Sequence, residues 1–167
     1  GRCAYSFDDL QRRLESPWSY VDQQMEPILA SLIEAHAPEW VGLSVPFPGN
    51  LLGALRIGQW LRTHHPTIKI VMGGGFPNTE LRSLKDPRLF DYLDAVTLDD
   101  GETPMMQLLA RSTDAQAPLR RTFLRINQEV VYQDSTLPDV KLSELGTPDY
   151  SGLTLDLYLN AIEQTNP

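Results

Sequence analysis

Among its 167 residues the chain has a single cysteine, Cys3. One thiol excludes an internal disulfide and any metal cluster held by several thiolates of this chain. Histidine is scarce too. His36, His64 and His65 all fall at or near expected helix ends, where an imidazole suits the helix dipole. None pairs with a carboxylate at metal-ligand spacing on one helix face, which argues against a zinc or iron hydrolase. No apolar run approaches the ~20 residues that cross a bilayer, and no signal peptide is read at the start. Positive charge is the minority sign: 14 Lys and Arg against 22 Asp and Glu leave a net charge of −8. That balance argues against nucleic acid as a partner. Neither GxGxxG nor GxxxxGK[ST] occurs, so dinucleotide and P-loop triphosphate sites lack support. Ser44 is not in a GxSxG elbow, and Cys3 has no obvious histidine partner, so nucleophilic catalysis has no candidate. The expected setting is cytoplasmic.

What is present describes one globular domain with some extra arms: 41% hydrophobic and 22% charged residues over this length. Both ends read as cuts. There is no initiator methionine, and the tail Glu163–Pro167 stops in a polar stretch after a helical pattern. The expectation is an excerpt of a larger polypeptide.

Along the chain, Ser6 opens a short helix over Phe7–Glu15. Apolar residues at Val21, Met25, Ile28, Leu29, Leu32 and Ile33 give Tyr20–Ala35 a helical spacing, and Pro27 within it predicts that the helix itself begins there, with the proline in its first turn. WVGLSV (Trp40–Val45) reads as a strand, and Asn50 as the cap of a helix over Leu51–His64. Ile68–Met72 is the next strand. It runs into Gly73-Gly74-Gly75, after which Asn78 or Thr79 opens a short helix through Leu84. Leu93–Leu98 is a third strand and Thr103–Ala110 a further helix with Pro104 at its first position. Arg120–Ile126 and Glu129–Gln133 flank Asn127-Gln128 as a hairpin. Ser135–Gly152 reads as a connector and Leu153–Ile162 as a short apolar helix.

This alternation of strands and helices predicts an α/β fold with a doubly wound parallel sheet. Right-handed crossovers then bring three loops, Pro46–Asn50, Gly73–Asn78 and Asp99–Glu102, to one edge. Ligands of such sheets bind at the carboxyl ends of strands, and glycines let backbone approach a ligand closely. Phe47 and Phe76 are read either as core anchors or as lids over a planar ligand. Together with the glycine loop they suit a large, partly apolar cofactor. Asp99, Asp100 and Glu102 read first as carboxylates capping the next helix, with ribose or amide contacts as the other reading.

VGLSVPFPGNLLGAL, KIVMGGGFPNTELR and DYLDAVTLDDGETP, in that order, resemble the cobalamin-binding domain of cobalamin-dependent radical SAM proteins. Members of that family include Fe–S oxidoreductases and oxidative cyclases of the magnesium-protoporphyrin monomethyl ester type. The resemblance covers residues 40–110 most strongly, and LGTPDYSGLTLDLYL resembles the segment leading to the radical SAM barrel. It implies a flavodoxin-like (Rossmann-type) domain over residues 1–112, its first strand missing, and a hairpin and connector over 113–167 towards a barrel outside this chain. It further implies that Ser44, Val45, Pro46 and Phe47 lie along the nucleotide tail of cobalamin. Gly73, Gly74 and Gly75 would line the same groove, with Phe76 and Pro77 at the rim and Asp100, Gly101 and Glu102 closing the site. The DxHxxG motif that supplies an axial histidine in many cobalamin domains is absent. So is the CxxxCxxC triad, so the [4Fe–4S] cluster and S-adenosylmethionine belong to the missing part of an oxidoreductase or methyltransferase, not to this chain. No residue here is a candidate for catalysis or for binding a metal ion. The rival expectation is a degenerate domain of the same fold that docks the barrel or a substrate without binding cobalamin. A receiver-type signalling domain is a weaker third.

Overall fold

The computed structural model describes residues 7–154. Cys3, Ser6 and most of the helix expected over Leu153–Ile162 fall outside that range. Five helices and five strands follow one another as α1 (Phe7–Glu15), α2 (Tyr20–His36), β1 (Trp40–Ser44), α3 (Leu51–His64), β2 (Lys69–Gly73), α4 (Gly75–Glu80), β3 (Ala95–Thr97), α5 (Glu102–Ala110), β4 (Thr122–Ile126) and β5 (Glu129–Gln133). The strands form one sheet in the order β1-β2-β3-β4-β5. The first three are parallel, and the hairpin joins the same sheet with β4 antiparallel to β3. This is the α/β, flavodoxin-like architecture expected, closing in a mixed edge.

Side-chain alternation along β2 and β3 divides the core between two faces. Ile70, Met72 and Val96 pack with Leu55 and Leu61 of α3, Leu29 and Ile33 of α2, and Leu10 and Leu14 of α1. Val71 and Ala95 face the other way, against Leu108 of α5 and Leu119. Helices therefore cover both sides, as the near-continuous apolar character of parallel strands requires.

Several element boundaries differ from the sequence reading. α2 does not begin at Pro27 but runs through it. Ser19 and Asp22 form a reciprocal capping box that starts the helix earlier: the Ser19 amide donates to the Asp22 carboxylate at 2.8 Å. Asn50 makes no cap bond, because a 3₁₀ turn over Pro48–Asn50 already leads into α3. α4 starts at Gly75 rather than at Asn78 or Thr79, because Gly74 makes the turn that begins it. No side chain caps α5, so the acidic loop ahead of it has other partners. Among the described residues no helix is long and apolar enough to cross a membrane.

Candidate functional site

Because β1, β2 and β3 are parallel, the loops after them leave the sheet at one edge. The first two loops are in backbone contact. The Val45 amide donates to the Gly73 carbonyl at 2.8 Å, and the Phe76 amide to the Val45 carbonyl at 2.9 Å. A Cβ on Gly74 would stand 2.9 Å from the Val45 backbone nitrogen and oxygen, and one on Gly75 would stand 2.8 Å from the Pro46 carbonyl oxygen. The second and third loops are tied by side chains. The Asp99 amide donates to the Asn78 side-chain oxygen at 2.6 Å, and Arg82 pairs with the Asp99 carboxylate.

The expected site residues therefore gather at this edge, but they divide by burial. Val45 and Pro77 are buried, and Phe76 is only 2% exposed. Phe76 and Pro77 sit in the core rather than at a rim, because α4 begins at Gly75, three residues before Asn78, and carries Phe76 inward. Phe47 is the opposite case at 70% exposed. Ser44, Pro46, Gly75, Asp100, Gly101 and Glu102 are exposed, and Gly73 and Gly74 half-buried. The closeness that glycine permits is thus used at Gly74 and Gly75 to bring two loops of the protein together.

Strand parity adds residues that the motif reading missed. Trp40, Gly42 and Ser44 share one face of β1, and Ser44 pairs in register with Gly73. A Cβ on Gly73 would lie 3.0 Å from the Thr97 hydroxyl, and Thr97 pairs with Thr122. Gly42 is exposed, and a Cβ there would meet nothing within 4 Å. Gly42, Ser44 and Gly73 thus form a shallow trough of small residues on the α5 face, running to the carboxyl edge. Two residues upstream on that face, Trp40 lines a cavity of about 280 Å³ with Ala95, Leu108, Leu119 and Leu124. The period of 2 in WVGLS was the available signal for Gly42; nothing local pointed to Thr97.

All three histidines lie at the other end. α2 and α3 lead into the starts of β1 and β2, so His36, His64 and His65 stand at the amino edge. His64 stacks on Trp60 with ring centroids 4.6 Å apart. Among the described residues, no group of three or more His, Cys, Asp or Glu is arranged to hold a metal ion.

The third loop is held from behind. Arg121, only 7% exposed, donates to the carbonyls of Leu98 at 3.3 Å and Asp100 at 3.1 Å. The same guanidinium donates to Asp139 at 2.6 Å. Arg120 reaches Asp134 at 2.9 Å and the Ser135 carbonyl at 2.6 Å. Thr103 adds a link from α5, accepting from the Val140 amide at 3.2 Å. The connector is therefore clamped to the acidic loop. Hydrogen bonds from Arg121, then Arg120, hold the Asp139 carboxyl below the ordinary aspartate value of 3.8. A depressed folded value means that the clamp is fully present above 3.8 and weakens as pH falls through the lower, folded value. The Asp139 carboxyl carbon resonance is expected to titrate with a midpoint below 3.8, moving back up in Arg121→Gln. An ordinary midpoint in the intact chain would show that the clamp does not form in solution.

No protein-family model matches the chain, and no curated protein matches it.

Proposed function

We propose that the chain is a cobalamin-binding accessory domain that takes the nucleotide arm of the cofactor along the Gly42–Ser44–Gly73 trough. The observation that carries this reading is the trough itself: Gly42, Ser44 and Gly73 leave only small groups along one sheet face, open at Gly42, and exposed Phe47 follows three residues after Ser44. A thin, partly apolar arm fits a groove floored by glycines, and the flat corrin suits an exposed aromatic at its mouth. Asp100 and Glu102 offer acceptors to the amide N–H groups that fringe a corrin. No imidazole stands at this edge among the described residues, so Gly42, Ser44, Gly73 and Phe47 would hold the group without help from a histidine. When bound, the group would supply alkyl-transfer or radical chemistry that the side chains do not provide. On this reading the barrel, its [4Fe–4S] cluster and S-adenosylmethionine belong to further polypeptide of the parent enzyme.

A second reading, a non-binding docking platform of the same fold, draws on a specific observation. Gly74 and Gly75 are already packed on Val45 and Pro46, so the glycine loop explains itself without a ligand. Gly42→Leu separates the two readings. Its side chain would enter open space, so stability should change by less than about 1 kcal/mol. Hydroxocobalamin titrated into the intact chain is expected to shift its visible spectrum and co-elute, and the variant should bind at least about 10-fold more weakly. No retention by the intact chain at tens of micromolar, about the weak end of specific cofactor binding, favours the platform.

A further inference from the structure

Away from the carboxyl edge, a cavity of about 320 Å³ opens where α2 and α3 pack, at the small end of the range for small-molecule sites. Trp18 lines it from the loop between α1 and α2, Glu26 from α2, and Gln59, Trp60, Thr63 and His64 from α3. Positions 59, 60, 63 and 64 share one face of a helix, so α3 supplies most of the wall. None of these residues belongs to the proposed cobalamin site, and the two sites are independent.

The donors in this lining are largely engaged. The Trp60 indole N–H donates to Glu26 Oε1 at 3.1 Å, which fixes a ring only 5% exposed. The Thr63 hydroxyl donates to the Gln59 carbonyl at 3.0 Å, and the Gln59 carboxamide nitrogen to the Leu14 carbonyl at 3.1 Å. His64 Nδ1 lies 2.9 Å from the Trp60 carbonyl, which can only accept. Nδ1 therefore carries the hydrogen, and Nε2 of the neutral ring is left as an acceptor. The unused groups are acceptors: the second Glu26 oxygen, the Thr63 lone pairs and His64 Nε2. Glu26 has no ion-pair partner among the described residues, so its charge is unanswered. Arg56 stands 5.9 Å from the Trp18 ring centroid but does not line the cavity, and Asp22 lies 3.7 Å from its Nε.

We propose that this cavity binds a primary ammonium carried on a small apolar body. Two indole rings supply both an apolar wall and π faces that attract a cation. Glu26 supplies the opposite charge and a charge-assisted hydrogen bond. Three sets of unused acceptors match the three N–H groups of a primary ammonium in number. An anionic ligand would instead meet Glu26 with no cation of the lining to offset it, and a neutral apolar one would desolvate these acceptors without pairing them. The net charge of −8 favours the approach of a cation.

Benzylammonium titrated into the intact chain tests this, followed through the indole N–H resonances of its three tryptophans. Those of Trp18 and Trp60 are expected to shift with a Kd on the order of 0.1–1 mM, as so small a ligand allows, while Trp40, in the other cavity, stays unmoved. Glu26→Gln keeps an acceptor for Trp60 but removes the charge. It should bind at least about 10-fold more weakly with unchanged circular dichroism. On the intact chain, benzyl alcohol, which lacks the charge, and benzyltrimethylammonium, which lacks the N–H groups, should also be weaker. The proposal is overturned if Trp18 and Trp60 do not respond by about 10 mM, well above the weakest Kd expected. Equal binding of either analogue, or undiminished binding by Glu26→Gln, overturns it as well. Capped Gly-Lys-Gly presents the same ammonium on a peptide, and tighter binding of that peptide would overturn the small-molecule assignment.

Discussion

Gly74→Ala is expected to cost about 2–5 kcal/mol of folding stability, a large fraction of what a domain of this size has in hand. Two independent terms add. Gly74 sits at φ 107°, ψ −172°, a region that residues with a Cβ do not ordinarily enter. The added methyl would also stand 2.9 Å from the Val45 nitrogen and oxygen. Those atoms belong to a backbone pinned by the Val45–Gly73 and Phe76–Val45 hydrogen bonds, so they cannot swing aside as a side chain would. Urea denaturation of the variant measures the loss, and a change under about 1 kcal/mol would show a slack turn. The consequence for function is direct. Any bulky residue at Gly74 damages the fold together with the proposed ligand site, so a loss of cobalamin binding there would not distinguish the two readings. Gly42, with open space at its Cβ position, gives the clean comparison.

The parallel core was legible because its signals are local. Strand–helix alternation and apolar periodicity located all five strands and α3 and α5, and the right-handed crossover rule brought the three loops to one edge. What stayed hidden depends on partners distant in sequence. Asn78 looked like a helix cap, yet its carboxamide accepts the Asp99 amide 21 residues away. Arg121 looked like one more charge in RRTFLRI, yet it is buried and holds the acidic loop and Asp139. Phe76 was open between lid and core, and only the start of α4 at Gly75 decides for the core. The glycine triplet itself was read for its freedom to approach a ligand. The same freedom serves the approach of two loops, and no single-sequence pattern separates those uses.

Arg56 carries the other large effect, and nothing in its neighbourhood of sequence announces it. In the motif LGALRIGQ it occupies a helix interior, where an arginine normally faces water. Here it is 2% exposed. Its guanidinium donates to the carbonyls of Leu14 and Arg13, each at 2.7 Å, and of Ser16 at 2.9 Å. Asp22 stands 3.7 Å from its Nε. α1 ends there, and its last carbonyls have no partner within the helix. Arg56 thus closes the end of α1 and neutralises Asp22 of α2 from a single position on α3. Removing one member of such a buried set leaves the others desolvated and unpaired, at a typical cost of about 3–5 kcal/mol. Arg56→Leu is therefore expected to lower the melting temperature by roughly 10 °C. Arg56→Lys should recover only part of this, since an ammonium cannot span three carbonyls with a planar fork. The loss should be cooperative because Leu10 and Leu14 pack in the same cluster as Leu55 and Leu61. Hydrogen exchange decides the matter. If only the amides of α1 become labile in Arg56→Leu while those of β2 keep their protection, the guanidinium fastens a peripheral arm instead of joining three helices into the core.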